Sequence, residues 1–186
     1  VAKSSQLERI AGYVLFSLAT SYAAWIAAVH FGLRFNVEPS VPIGAYRVVS
    51  GPVERGDTVG ACLPSSLAHY ALERQILPHG SCPTGVLPLV KVVAAISGDR
   101  VDVTDAAIYV NGHLWPYSAI RRRSCYGQRI DMRLPSGRYV IAANKVFLMG
   151  LNPCSYDARY WPAGSVTRSM VARWNPLITL PQKASL

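Results

Sequence analysis

Apolar and polar positions follow two regimes along the chain. From Ile10 to Leu33, between Arg9 and Arg34, 24 residues pass without a charged side chain when His30 is neutral. A bilayer-crossing helix needs about 20 such residues, so the segment reads as a retained membrane span. A cleaved signal peptide is the second reading, but its apolar region usually runs about 7 to 15 residues and ends at small side chains. Here the run closes in the bulky VHFGLRF. A core helix of a soluble domain is the third reading, and the stretch is long for one. Lys3 and Arg9 precede the span, which favours a cytoplasmic N-terminus and an outward-facing domain after it.

Beyond the span the pattern changes to short runs cut by Gly and Pro. Gly44–Ser50, Asp57–Cys62 and Arg100–Val103 read as strands, the last after a Gly98-Asp99 turn. Leu89–Ile96 is an almost wholly apolar run, a buried strand or short helix. Ala107–Val110, Asn111-Gly112 and His113–Trp115 form a hairpin signal, because Asn-Gly favours the mirror-image two-residue turn. Arg138–Ala142 and Val146–Met149 are predicted to make a further hairpin, and Val166–Trp174 a last strand or strand pair. Residues 65–76 carry partial helical spacing through Leu67, Tyr70, Ala71 and Arg74. The organisation expected is a short N-terminus over 1–9, a span over 10–33, one mostly antiparallel β domain over 34–175 and a loose tail over 176–186.

Composition narrows this picture. The 153 residues after the span suffice for one domain with a real core, and 51% hydrophobic against 16% charged residues excludes a disordered chain. Cys62, Cys82, Cys125 and Cys154 all follow the span; an even number suits disulfides in an oxidising compartment. Three pairings are possible, the nearest-neighbour one joining Cys62 with Cys82 and Cys125 with Cys154. Free core thiols are the alternative. No CxxC spacing occurs and His30, His69, His79 and His113 are scattered, so no metal or cofactor is expected.

Charge adds one more constraint. The part after the span holds 17 basic and 9 acidic residues, with Arg121-Arg122-Arg123 continued by Arg129, Arg133 and Arg138. It lacks a recognition helix, a spaced aromatic platform and a zinc-ligand set, so no nucleic-acid partner is expected. Attraction to anionic lipid headgroups or to a substrate's juxtamembrane region explains the charge as simply, and so does a solvated face.

Candidate chemistry centres on two residues. Only three lysines, Lys91, Lys145 and Lys183, lie beyond the span, and Lys91 interrupts Pro-Leu-Val-Lys-Val-Val-Ala-Ala-Ile. Desolvation would lower its pKa and make the neutral amine accessible as a general base; a strand lysine that snorkels outward is the plainer alternative. Ser40 sits between Pro39 and Pro42, which hold the backbone extended or turned, close to the end of the span. That rigidity suits a nucleophile, and equally a structural linker.

Three boxes in order bear a resemblance. Pro-Ser40-x-Pro-x-Gly-x-Tyr, Lys91 ahead of Gly98-Asp99-x-Val, and Ser155-Tyr-Asp157-Ala-Arg159-Tyr-Trp, together with the preceding span, resemble the membrane-anchored signal peptidase superfamily. The serine box is most similar to the conjugative-transfer, TraF-type branch that matures plasmid pilins. The resemblance runs from about Asn36 to about Arg168. It implies a mostly β, signal-peptidase-like antiparallel catalytic domain with one N-terminal transmembrane helix, on the periplasmic side of a bacterial inner membrane. It implies Ser40 as nucleophile, Lys91 as general base, Asp157 in a catalytic role, and Ser155 and Arg159 in support. A disulfide at Cys82 or Cys154, near the second and third boxes, would brace the site. Glu38 stands where ordinary signal peptidases carry a hydroxyl donor for the oxyanion; either that donor comes from elsewhere or the local register differs. The loop Pro162-Ala163-Gly164 places its glycine later than relatives do.

The function implied is a serine endopeptidase acting on an exported or membrane precursor, most specifically a conjugative pilin, with an acyl-enzyme that an amine could resolve into a cyclic product. Inner-membrane lipids and conjugative type IV secretion components are the other expected partners. A general signal peptidase, and a non-catalytic inner-membrane component of a secretion apparatus, are the alternatives.

Overall fold

A computed structural model describes residues 2–181, with side chains from residue 6 onward. The chain divides into two compact units, residues 1–34 and 35–186.

The first unit is helix α1 (Ala2–His30), within which Gln6–His30 is apolar enough to cross a membrane and none of which is buried. It therefore extends back through the predicted N-terminal arm. Twenty-five residues at 1.5 Å each give about 37 Å, more than the roughly 30 Å hydrocarbon core. Thr20 is tolerated because its hydroxyl donates back to the Phe16 and Ser17 carbonyls, both at 3.0 Å. The helix stops at Gly32, whose φ of 86° lies in the left-handed region that closes helices, and the Arg34 guanidinium donates to the Val29 carbonyl at 2.9 Å.

The second unit holds two sheets. Ten strands are β1 (Leu33–Asn36), β2 (Gly44–Val49), β3 (Thr58–Ala61), β4 (Leu89–Ile96), β5 (Arg100–Val103), β6 (Ile108–Val110), β7 (His113–Leu114), β8 (Gly137–Val140), β9 (Val146–Met149) and β10 (Val171–Thr179). The order in the first sheet is β1-β2-β10-β3-β4-β9 and in the second β7-β6-β5-β8. The pairings described by register are all antiparallel. Helix α2 (Ser65–Glu73) seals the core with Leu67, Ala68 and Ala71. The Asn-Gly turn forms as expected, with φ of 51° at Asn111 and 84° at Gly112, the pair of positive values a mirror-image turn requires.

Two expectations are corrected. Val146–Met149 does not form a hairpin with Arg138–Ala142: β8 pairs with β5 in the second sheet, whereas β9 pairs with β4 in the first. Burial explains the split, since all four residues of β9 are buried and those of β8 are mainly exposed. A strand apolar on both faces belongs in the core layer. The tail expected from Pro176 is instead strand through Thr179, with Pro176 opposite Tyr46 and a register shift between Pro176 and Ile178 that accommodates the missing N–H. Residues 182–186 of that predicted tail lie outside the described residues.

Candidate active site

The Ser40 loop is built by its neighbours. Buried Asn36 donates its amide to the carbonyls of Glu38, Val41 and Pro42 at 2.8, 3.2 and 3.2 Å, and its Oδ1 accepts the Glu38 N–H at 3.2 Å. One side chain thus ties down the whole turn. The Tyr46 hydroxyl donates to the Pro42 carbonyl, and its ring packs at 6.1 Å from Trp174. Gly44 leaves room for β10: a Cβ there would overlap the Ile178 carbonyl. Each residue of the Pro-x-Gly-x-Tyr box therefore has a structural task. Ser40 is 7% exposed, and its carbonyl accepts the Leu151 N–H at 2.7 Å, while Glu38 is exposed.

Lys91 occupies the third position of β4, whose first seven residues are all buried. It lies opposite Val59 in β3, and the next residue, Val92, pairs with Met149 of β9. The register thus leads from Lys91 to the segment just beyond β9, where Gly150 and Leu151 meet Ser40. The amine donates to the Val90 carbonyl at 3.1 Å, and no described hydrogen bond links it to Ser40 Oγ. Burial lowers its pKa to about 8, against the opposing fields of Asp157 and Glu38, with Arg159 adding to the decrease. The lysine is therefore the buried cation of the strand and does not snorkel.

The third box closes the arrangement. Asp157 and Arg159 are wholly buried and form a two-pronged ion pair, Nε to Oδ1 at 2.8 Å and Nη2 to Oδ2 at 2.9 Å. Arg159 also donates to the Tyr117 and Ser155 carbonyls at 2.7 and 2.8 Å, which exhausts much of its fork. Burial opposes its charge, but Asp157 more than compensates and holds its pKa above the ordinary arginine value. Asp157 Oδ2 further accepts the Gly150 N–H at 2.9 Å, and Trp115 Nε1 donates to the Gly150 carbonyl at 3.0 Å. Gly150 needs to be glycine: a Cβ would overlap the buried Ser155 hydroxyl, which has no hydrogen-bond partner among the described residues, and would lie 3.4 Å from the Ser40 carbonyl.

The backbone thus draws Ser40, Lys91, Ser155, Asp157 and Arg159 around Gly150–Leu151. Asn36, Trp115 and Gly150 were not singled out from the sequence. Asn36 carried a faint signal, an Asn opening a Pro-rich turn; Gly150 carried none. Asp99 is structural: it accepts from Arg55, from the Ile96 N–H at 2.9 Å and from Asn111 Nδ2 at 2.9 Å, knotting the β4–β5 turn to the β6–β7 hairpin. The cysteines form Cys62–Cys82 and Cys125–Cys154, with Cα separations of 5.6 and 5.3 Å. The second bond ties the arginine-rich loop to the segment leading into the Ser155 box.

Known proteins similar to this chain include plasmid and conjugal transfer proteins. The chain is 33% identical over 169 residues to the plasmid transfer protein TraF of Escherichia coli, covering 90% of this chain and 94% of that protein. It is 37% identical over 155 residues to a probable conjugal transfer protein TraF of Sinorhizobium fredii, covering 82% and 78%. It is 36% identical over 138 residues to the conjugal transfer protein TraF of Agrobacterium tumefaciens, covering 73% and 76%. The model of one family, described as signal peptidase, peptidase S26, matches residues 7–174, a stretch that takes in most of α1 and all three boxes. By that match and by these relatives, the chain belongs to the signal peptidase family, in its TraF-type branch.

Proposed function

We propose that this chain is a membrane-anchored serine endopeptidase in which Ser40 attacks and Lys91 takes its proton. Membership of a peptidase family already supports enzymatic activity in general, and α1 followed by the β domain fits a single-pass inner-membrane protein with its domain on the periplasmic side. The observation that carries the finer reading is Lys91: a lysine fully enclosed in β4 with its pKa lowered to about 8, mainly by desolvation. Such an amine is neutral often enough near neutral pH to serve as a general base.

The Ser40 proton passes to Lys91 Nζ as Oγ bonds to the scissile carbonyl carbon, whose oxygen becomes the oxyanion. The Ser40 N–H, which meets no acceptor among the described residues, is the simplest donor for that oxygen. Collapse breaks the C–N bond, the lysine proton leaves with the amine, and the acyl-enzyme remains for water or another amine. Glu38 is exposed, and its field on Lys91 opposes the lowering that burial causes. Asp157 acts through position, holding Gly150 and Arg159, and through its field on the lysine.

The TraF relatives are conjugal and plasmid transfer proteins, which supports a conjugative pilin precursor as the substrate and conjugation as the setting, with cyclisation as the aminolytic outcome. The test is precursor processing read by intact mass. Ser40→Ala and Lys91→Ala should each lower the rate by at least about a thousandfold, and a product one water lighter than the hydrolysed form would establish cyclisation. Full processing by both variants would sink the dyad.

A further inference from the structure

Away from the Ser40 loop, the chain between β7 and β8 carries a cleft of about 590 Å³, within the size range of sites that hold discrete ligands. Arg121, Arg122, Arg123, Arg129 and Arg133 line it. Two carboxylates share it, Asp131 engaging Arg129 and Arg74 (2.9 Å) and Asp105 standing 3.9 Å from Arg133. Three positive charges remain in excess, and among the described residues Arg121, Arg122 and Arg123 have no ion-pair partner. The fold also concentrates them. Arg123 and Arg129 are bridged directly across a narrow antiparallel turn, with Ser124 N–H on the Gln128 carbonyl at 2.9 Å, and like charges in that relation repel. An anionic occupant would relieve the repulsion.

We propose that this cleft docks an acidic segment of a polypeptide. The built-in pairs demonstrate the chemistry, since guanidinium forks here already take carboxylates from Asp131. All the basic groups are arginines, the side chains best fitted to bidentate carboxylate binding. Side-chain carboxylates on a flexible chain can reach into a concavity, whereas a planar lipid surface meets only its rim. No aromatic residue lines the cleft, which removes the stacking platform that single-stranded nucleic acid requires. The cleft wall is braced to the Asp157–Arg159 loop: Arg159 Nη1 donates to the Tyr117 and Ala119 carbonyls, the Arg121 N–H donates to the Tyr160 hydroxyl at 3.2 Å, and Cys125 is bonded to Cys154. An acidic segment held there would rest on a wall that is itself tied to the loop carrying Asp157. This binding does not rest on the peptidase reading.

The experiment uses the full chain in neutral-detergent micelles with Ser40→Ala, so that cleavage and docking stay separate. A labelled glutamate-rich peptide should bind saturably, its glutamine counterpart should not, and added salt should weaken the binding. Combined Arg122→Ala and Arg123→Ala should weaken it roughly tenfold or more, whereas Arg47→Ala, at an exposed arginine of β2, should leave it unchanged. Arg122→Glu with Arg123→Glu should transfer preference to a lysine-rich peptide. Equal binding of the glutamine peptide, indifference to the double substitutions, or capture of phosphatidylglycerol vesicles or inorganic phosphate without the acidic peptide would overturn the proposal.

Discussion

The two sheets treat charge in opposite ways. In the first, Lys91 is enclosed in β4 beside the Asp157–Arg159 pair, and the two arms of that pair reach Gly150, Ser155 and Tyr117 through hydrogen bonds. In the second, Asp102 of β5 sits between Arg100 and Arg138 at 3.2 and 2.8 Å, with both arginines about half exposed or more. Similar residue types and distances thus occupy different dielectric surroundings. Exposed pairs gain little over hydration, whereas breaking a buried pair strands an uncompensated charge. The lesson is that burial, more than contact distance, decides which of these charges shape the site.

The sharpest way to break the comparison is Lys91→Met. Peptidase activity should fall by at least about a thousandfold while the fold persists, because removing a buried ammonium relieves desolvation. In the wild type, the acid limb of activity should rise with pH to an apparent pKa of about 8, as the amine becomes neutral. Stability carries the matching sign. Between about 8 and 10.5 the unfolded lysine binds more protons than the folded one, so wild-type stability should climb through that window. The climb should be absent from Lys91→Met; equal pH profiles of thermal midpoint would contradict the burial.

Next in size is Arg159→Met, which leaves Asp157 buried and unpaired and should cost about 3–5 kcal/mol of stability, measured by chemical denaturation in micelles. Joint replacement of Cys125 and Cys154 by Ser frees the arginine-rich loop from the segment before Ser155 and should cost about 2–4 kcal/mol. That loss should vanish when both proteins are compared under reducing conditions. The smallest effect is expected in the second sheet: Asp102→Asn should move the melting midpoint by no more than about 2 °C. A shift as large as that of Arg159→Met would abolish the contrast between the sheets.

Much of the fold was legible because its signals are local. The Asn111-Gly112 turn, the strand at Gly44–Val49 and the apolar β4 run each follow from neighbouring residues. The expected hairpin of β8 with β9 does not form, because strands adjacent in sequence need not pair when their burial differs. The turn at Ala142–Lys145, closed by the Lys145 N–H on the Ala142 carbonyl at 3.1 Å, switches the chain from one sheet to the other. Of the site, the three boxes marked Ser40, Lys91, Ser155, Asp157 and Arg159. Nothing near Gly150 signalled that its missing side chain makes space for Ser155, since the two meet only through the fold.

The sequence by itself determined the apolar helix, because 24 uncharged residues suffice whatever they pack against. It also determined the strand-rich character of the remainder and the residue types available for chemistry. Only the tertiary structure decided that Cys62 meets Cys82 and Cys125 meets Cys154, that β4 lies between β3 and β9, and that Asp157 and Arg159 are a buried pair rather than a surface one. The physical reason is range: helix and turn preferences act over a few residues, whereas desolvation of a charge depends on every segment that folds over it. Lys91 is a strand residue by its sequence and a candidate base by its burial.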